Sequence, residues 1–144
     1  MQVASINSFI AGEVAASEGR FTGLGTLHPD SECLREDVEN IVALGLKGVK
    51  LHPDIQQFKL DDYRMLKIYE LCEGRLPILI HMGDSRYDFS KPHRLAKVLD
   101  RFPKLEVIGA HFGGWSEWED AEDCLAGRDN LWVDTSSSLY AMEP

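Results

Sequence analysis

Short apolar runs alternate along this chain with longer stretches in which apolar residues recur every three or four positions. The short runs predict strands that are covered on both faces, and the longer stretches predict helices with one buried side. The predicted strands are 21–29, 48–53, 77–81, 105–111 and 131–134. Strands that alternate with helices in this way indicate an α/β domain built on a parallel sheet.

The predicted helices lie between these strands and begin at residue 1, at Asp30 or Ser31, at Asp61, at Pro92 and at Trp115. The first predicted helix runs over 1–18. The fourth begins at Pro92, because proline is favoured as the first residue of a helix, and Ser90 before it is a candidate cap. No linker or low-complexity segment divides the sequence, so residues 1–144 are predicted to form one domain.

Each predicted strand carries, at its last residue or the residue before it, a side chain that can bind a metal or transfer a proton. We call these residues the strand-end rim: His28, His52, His81, His111 and Asp134. The carboxyl ends of parallel strands meet at one edge of a sheet, where α/β proteins bind ligands. One histidine at a strand end is more often structural, but four on one rim favour a functional site.

Neutral imidazole is the commonest metal ligand and a general base near neutral pH. Such a rim can therefore hold a divalent metal with an open position, which lowers the pKa of a bound water. His28 and His52 both precede proline, which restricts the preceding residue to an extended conformation. For these two we favour a structural role or substrate contact over metal ligation.

Three further polar residues belong to the same region. Lys50 lies two positions before His52 and shares its face, so a buried Lys50 needs an anion or a neighbouring carboxylate as partner. Asp84 either contacts substrate or braces the loop after His81. Asp134 is either a ligand or base, or caps the turn that Thr135 begins.

Charge and hydropathy exclude several partners. Fifteen Lys and Arg against 24 Asp and Glu give a net charge of −9, which disfavours binding to nucleic acid or anionic membranes. No apolar stretch approaches the roughly 20 residues that span a bilayer. The first residues predict a helix rather than a signal peptide, so we expect a cytoplasmic protein. Cys33, Cys72 and Cys124 are far apart, which favours packing over disulfide or zinc chemistry.

Four stretches resemble the amidohydrolase-related family of metal-dependent TIM-barrel hydrolases, in the branch that includes decarboxylases of the aminocarboxymuconate-semialdehyde type. They are GLKGVKLHPDIQQF (45–58), LPILIHMGD (76–84), FPKLEVIGAHFGGW (102–115) and NLWVDTSS (130–137). The resemblance implies a partial (β/α)₈ barrel with about five parallel strands, which match strands three to seven of the family and are covered by helices.

The resemblance also implies roles for individual residues. His81 matches the fifth-strand histidine that ligates metal, and His111 matches the sixth-strand histidine that binds metal or assists the metal-bound water. Lys50 stands where binuclear relatives carry a carboxylated lysine, although this branch resembles mononuclear enzymes. The implied cofactor is zinc, with manganese as alternative. The implied reaction is attack of metal-activated water on an amide, ester or lactone of a small molecule; the alternative is decarboxylation of an aromatic or unsaturated carboxylate.

Two family features are missing from these residues: the H-x-H pair of the first strand and the aspartate of the eighth. A complete barrel needs about 250 residues, so the resemblance implies a chain truncated at both ends. We expect metal binding to be weak unless Asp134 or a second chain completes the site, and self-association through open barrel edges. A non-catalytic partial barrel is the rival interpretation. A doubly wound phosphate-binding domain ranks lower, because no glycine-rich loop follows a strand.

Overall fold

The computed structural model describes residues 2–142, within which the chain forms four strands and six helices. The strands are β1 (Val49–Leu51), β2 (Ile78–Ile80), β3 (Val107–Gly109) and β4 (Leu131–Val133). The helices are α1 (Val3–Ala16), α2 (Leu34–Ala43), α3 (Pro53–Gln56), α4 (Leu66–Cys72), α5 (Pro92–Arg101) and α6 (Trp118–Leu125), with 3₁₀ turns at Tyr63–Met65 and His111–Gly113. From α2 onwards the predicted strands and helices therefore follow in the predicted order, with the short helix α3 and the two 3₁₀ turns in addition.

The four strands form one parallel sheet in the order β1-β2-β3-β4. The first and third residues of β1, β2 and β3 are buried, in the core they share with the helices. The central residues form one row across the sheet and are less buried: Lys50, Leu79, Ile108 and Trp132. This second face is the one that a closed barrel would enclose.

The predicted first strand, 21–29, is reduced to a single parallel bridge between Gly25 and Val49. Lys50 N–H still donates to Gly25 O at 2.7 Å, and the next bond of a parallel ladder would join His52 N–H to Leu27 O. The side-chain amide of Gln56 occupies that place: His52 N–H donates to Oε1 at 2.7 Å, and Nε2 donates to Leu27 O at 2.8 Å. The inserted amide separates the two segments, which is why four strands form instead of about five.

Helix α1 lies along the outer side of this segment and is held there by Asn7. Thr26 N–H donates to Asn7 Oδ1 at 2.7 Å, and Asn7 Nδ2 donates to Thr26 O at 3.1 Å, so the buried amide pairs with both backbone groups. On the same helix Val3 is buried, whereas Ile6 is 43% exposed. The predicted helix starts at Met1, which lies outside the described residues.

Two sequence expectations concern single residues. Pro92 is the first residue of α5, but its N-cap is Lys91, and Ser90 makes no cap. Cys33, Cys72 and Cys124 are all free thiols, and Cys72 packs in the core. Within residues 2–142, none of the helices has the length and apolar character needed to cross a membrane.

Candidate metal centre

Three histidines of the strand-end rim meet at the carboxyl ends of neighbouring strands. The ring of His81 stacks on that of His52, with centroids 3.9 Å apart and planes 11° apart. On its other side it meets the ring of His111 at 71°, with centroids 4.9 Å apart. His81 follows β2, which lies between β1 and β3 in the sheet, so its ring contacts both of the others.

His111 is held in a left-handed turn in which it, Phe112 and Gly113 all have positive φ. This conformation costs a non-glycine residue about 1 kcal/mol or more, and several contacts offset the cost. His111 N–H donates to Asp134 Oδ1 at 3.0 Å, and Trp118 Nε1–H donates to His111 O at 3.0 Å. The turn aims the imidazole of His111 at His81.

The tautomer of His111 follows from its second ring contact. His111 Nδ1 lies 2.6 Å from the carbonyl oxygen of Ser136, which can only accept a hydrogen bond. Nδ1 therefore carries the proton, and Nε2 of the neutral ring presents its lone pair to His81 Nδ1, 3.0 Å away. A backbone carbonyl that holds the far nitrogen of a histidine is the arrangement typical of metal-binding histidines.

The other nitrogen of His81 faces a carboxylate. His81 Nε2 lies 3.3 Å from Asp54 Oδ2, and the Asp54 side chain is only 4% exposed. Ser90 Oγ contacts both oxygens of Asp54, at 2.8 and 3.0 Å, and fixes its orientation. Asp54 is held against His81 by the first residues after β1 and by the loop before α5.

These contacts give the His81 ring two acceptors, Asp54 Oδ2 and His111 Nε2, but only one proton to donate. Neutral imidazole has a single N–H, so a proton directed at Asp54 leaves two lone pairs facing each other between His81 and His111. A proton directed at His111 leaves a lone pair facing the carboxylate. Burial, followed by the influence of His52 and His111, lowers the pKa of His81 to about 4, which opposes a second ring proton near neutral pH. A divalent ion fits this deficit.

A second arrangement of ligands overlaps the first. Ligand atoms of His52, Asp54 and His81 all lie within 4.8 Å of one another, and His52 Nδ1 is buried without a hydrogen-bond partner. Imidazole binds a metal in its ring plane, and the stacked planes of His52 and His81 do not converge, so shared ligation requires one ring to rotate. In the pair His81–His111, Nδ1 of the first already lies 3.0 Å from Nε2 of the second. His81 belongs to both arrangements.

Burial shifts the pKa values of the three ligands in ways that favour metal binding at the two histidines and oppose it at Asp54. Burial, then the nearby Lys50, lowers the pKa of His52, so its ring stays neutral. Burial raises the pKa of Asp54, despite the hydrogen bond from Ser90. Metal binding would therefore compete with protons at Asp54 and would weaken as the pH falls.

Lys50 and His28 lie beside this centre rather than in it. Both line an open pocket of about 430 Å³ that His52 shares. Burial lowers the pKa of Lys50. The more distant negative charge of Asp134 opposes this shift, but only through space and without a hydrogen bond. His28 Nδ1 accepts a hydrogen bond from Asp30 N–H at 3.2 Å, so its neutral ring carries the proton on Nε2.

The two aspartates predicted from sequence both hold loops. Asp84 accepts hydrogen bonds from Arg86 N–H at 3.0 Å and from the Arg86 guanidinium at 2.6 and 2.9 Å, which lowers its pKa to about 2. Asp134 Oδ1 accepts from Ser136 N–H and Ser136 Oγ as well as from His111. Burial raises the pKa of Asp134, but these hydrogen bonds outweigh burial and lower it overall.

Sequence reasoning missed Asp54, Ser90, Gln56 and Ser136. The signal for Asp54 was the tetrapeptide LHPD, which occurs at 27–30 and again at 51–54. In the first copy Asp30 is half-exposed and pairs with Arg64 at 2.6 Å; in the second, Asp54 is buried against His81. Ser90 was predicted as a helix cap, and its hydroxyl holds Asp54 instead.

The fold defines a segment of a parallel α/β barrel, with a group of side chains that could hold a metal at its strand ends. The sequence matches the amidohydrolase family over residues 1–141, so the chain belongs to that family. It is 28% identical over 134 residues to a 2-amino-3-carboxymuconate-6-semialdehyde decarboxylase of Dictyostelium discoideum, in a match that covers 76% of this chain and 37% of the relative.

Solved structures agree at the level of the fold. An uncharacterised TIM-barrel protein of Bordetella bronchiseptica matches with a TM-score of 0.74 at 22% identity, over 90% of this chain and 48% of that one. A putative amidohydrolase of Staphylococcus aureus gives 0.67 at 20% identity, over 93% and 59%. A 4-oxalomesaconate hydratase of Rhodopseudomonas palustris gives 0.65 at 22% identity, over 92% and 48%.

These comparisons confirm two of the sequence predictions, the amidohydrolase family and the partial TIM-barrel fold. The chain spans 37% of the curated relative and about half the length of the solved ones. The family generally binds divalent metal, and the structure brings together His and Asp side chains that could hold such an ion. Both findings agree with the expected metal cofactor.

Proposed function

We propose that this chain forms the metal-binding part of an enzyme that decarboxylates a small unsaturated or aromatic carboxylate. The observation that carries the proposal is the hydrogen-bond deficit at His81: its single ring proton faces two acceptors, Asp54 Oδ2 at Nε2 and His111 Nε2 at Nδ1. The relative with 28% identity is named as a decarboxylase of a carboxymuconate semialdehyde, and a structural neighbour is named as a hydratase of oxalomesaconate. Both names specify carboxylates.

In this proposal His81 holds the ion, and Asp54 either orients His81 or joins the ligands. His111 Nε2 either joins the ligands or stays free to transfer a proton. A divalent ion bound there would polarise a substrate oxygen and lower the pKa of a bound water. The residues themselves supply orientation: Ser90 fixes Asp54, and Ser136 O fixes the tautomer of His111. Zinc suits this nitrogen and oxygen donor set.

Proton transfer is the further requirement of decarboxylation. Loss of carbon dioxide leaves an electron pair on the substrate carbon, and that carbon must then be protonated. His111 is the residue of the centre whose Nδ1–H is already bonded away from the pocket, so Nε2 is the atom free to take up a proton and return it. We assign this step to His111 when it does not ligate the metal.

Hydrolysis of an amide, ester or lactone is the second candidate. The family model carries the name amidohydrolase, and His111 Nε2 can accept a proton from water as readily as it can return one to carbon. The two reactions differ in product, so the same purified chain decides between them. Carbon dioxide release is measured with unsaturated and aromatic carboxylates, and acid release with esters and lactones.

Elemental analysis tests the metal centre before any substrate is known. The full chain is purified, dialysed against zinc or manganese, and freed of loosely bound ions. We expect close to one metal per chain, lost in His81→Ala and kept in His93→Ala, which changes an exposed histidine of α5. Absence of metal in the unmodified chain after this treatment would overturn the proposed function for this chain.

A further inference from the structure

The pocket beside the metal centre has walls of opposite character. On one side Val3, Ile6 and Ile10 of α1, together with Leu24, make it apolar; on the other side it is lined by Lys50 and His52. Its volume of about 430 Å³ lies within the range of small-molecule sites. Since His52 lines the pocket and also stacks on His81, the pocket lies next to the proposed metal centre.

Lys50 supplies the positive charge of this pocket. Among the described residues that line it, no other carries a permanently charged side chain. Lys50 is half-buried, and across residues 2–142 no carboxylate forms an ion pair or hydrogen bond with it; Asp134 acts on it only through space. A partly desolvated ammonium group without a counter-charge is unfavourable, and an anionic ligand would relieve that cost.

The backbone fixes where Lys50 stands. It is the central residue of β1, paired in register with Leu79, and it shares the face of His52 one step before the strand end. A ligand that contacts both Lys50 and the metal centre would therefore lie along the strand, with its far end against α1. His28 lines the same pocket and keeps its proton on Nε2, because Nδ1 accepts from Asp30 N–H.

We propose that Lys50 binds the carboxylate of the substrate, whose apolar body occupies the pocket between α1 and residues 24–28. This assignment deepens the proposed function and rests on it for the reacting centre at His81. It makes Lys50 the specificity-determining residue: a small acid with a planar or apolar body binds more tightly than its neutral analogue. Charge-assisted hydrogen bonds are roughly twice as strong as neutral ones, which gives the discrimination its size.

Benzoate and benzamide test the assignment, because they match in size and differ in charge. Binding is measured by calorimetry on the full chain at one pH, first with chelator and then with zinc. We expect Lys50→Met to weaken benzoate binding about 10- to 100-fold and to leave benzamide within about 2-fold. Lys50→Arg should retain most of the benzoate affinity, and Lys47→Met, at an exposed lysine of the preceding turn, should change neither.

The outcomes separate this inference from the proposed function. If the chain takes up no zinc but binds benzoate in a way that depends on Lys50, the inference is supported and only the proposed metal centre is overturned. Zinc uptake with benzoate binding unaffected by Lys50→Met, or with benzamide bound equally well, overturns the inference and leaves the metal centre standing. Failure of the chelator-treated chain to bind benzoate also overturns it. Thermal unfolding of each variant verifies that it folds.

Discussion

The carboxylate of Asp54 faces the imidazole of His81, with Oδ2 3.3 Å from Nε2, although the two residues follow different strands. The contact is buried, it is fixed by Ser90, and it leaves His81 with one proton for two acceptors. Asp54 is therefore the residue through which the centre can be tested most directly. The chain contains its own control, since Asp30 ends the other LHPD copy.

Replacing Asp54 by Asn should weaken zinc binding about 10- to 100-fold, the usual cost of losing a carboxylate that orients a metal-binding histidine. The measurement is competition with a chromophoric chelator. Asp30→Asn removes an exposed ion pair with Arg64 and should leave zinc affinity unchanged. Equal affinities for both variants and the unmodified chain would show that Asp54 plays no part in metal binding.

The metal-free protein should lose stability as the pH falls from about 6.5 to about 4. The pKa of His81 is about 4 in the folded chain against 6.5 as the ordinary value, so in this window the unfolded state binds more protons and acid favours unfolding. The loss approaches about 3 kcal/mol at most and levels off below pH 4. Urea unfolding with chelator present measures it.

A matched pair of variants isolates the contribution of His81 to this slope. His81→Gln should flatten the dependence of the free energy of unfolding on pH between 6.5 and 4. His93→Gln, at the exposed histidine of α5, should leave the slope as it is. A slope that is the same in all three proteins would mean that His81 titrates alike in the folded and unfolded states.

Gln56→Ala should destabilise the chain by about 2 kcal/mol, because it removes two partly buried hydrogen bonds and leaves Leu27 O and His52 N–H unpaired. Gln57→Ala, at the exposed next residue, should cost less than about 0.5 kcal/mol. Chemical denaturation compares them. If the two variants are equally stable, Leu27 and His52 have closed the gap and formed the missing ladder bond.

Asn7→Ala should release α1 from the sheet, since the buried amide makes both bonds to the Thr26 backbone. We expect a loss of about 2 kcal/mol and faster hydrogen exchange throughout α1. Ser8→Ala, on the exposed side of the same helix, serves as control. Slow exchange in α1 of the Asn7 variant would mean that Val3 and Ile10 suffice to hold the helix.

We propose, as the sequence leads us to expect, that the chain self-associates through its open edge. Within residues 2–142 no strand pairs with the outer side of β4, and Trp132 there is 51% exposed. An apolar groove of about 520 Å³ between α6 and β4 adjoins that edge. Exposed strand edges and apolar patches of this kind favour pairing.

Sedimentation equilibrium over a concentration series measures this association. Trp132→Lys should shift the chain towards monomer, because a charge on the exposed row opposes close contact between copies. Tyr63→Lys replaces an aromatic residue that is even more exposed but distant from β4, and should not change the mass distribution. A monomer at every concentration in the unmodified chain would contradict the proposal.

Much of the fold was predictable because its signals are local. Apolar runs that end on His52, His81 and His111 predicted three strands and the edge at which their ends meet, and the proline at 92 predicted the start of α5. The first strand was predicted too, but the amide of Gln56 interrupts its ladder. No local pattern distinguishes a glutamine that inserts between segments from one in solvent.

The sequence by itself determined the order of strands and helices, the family, and the placing of imidazoles at one edge of the sheet, because periodicity and strand ends are properties of neighbouring residues. Only the tertiary structure decided which of two identical LHPD segments brings its aspartate to His81, and which nitrogen of His111 carries the proton. Both depend on what the adjacent strand presents: Asp54 lies between β1 and β2, whereas Asp30 lies at the edge of the sheet facing Arg64.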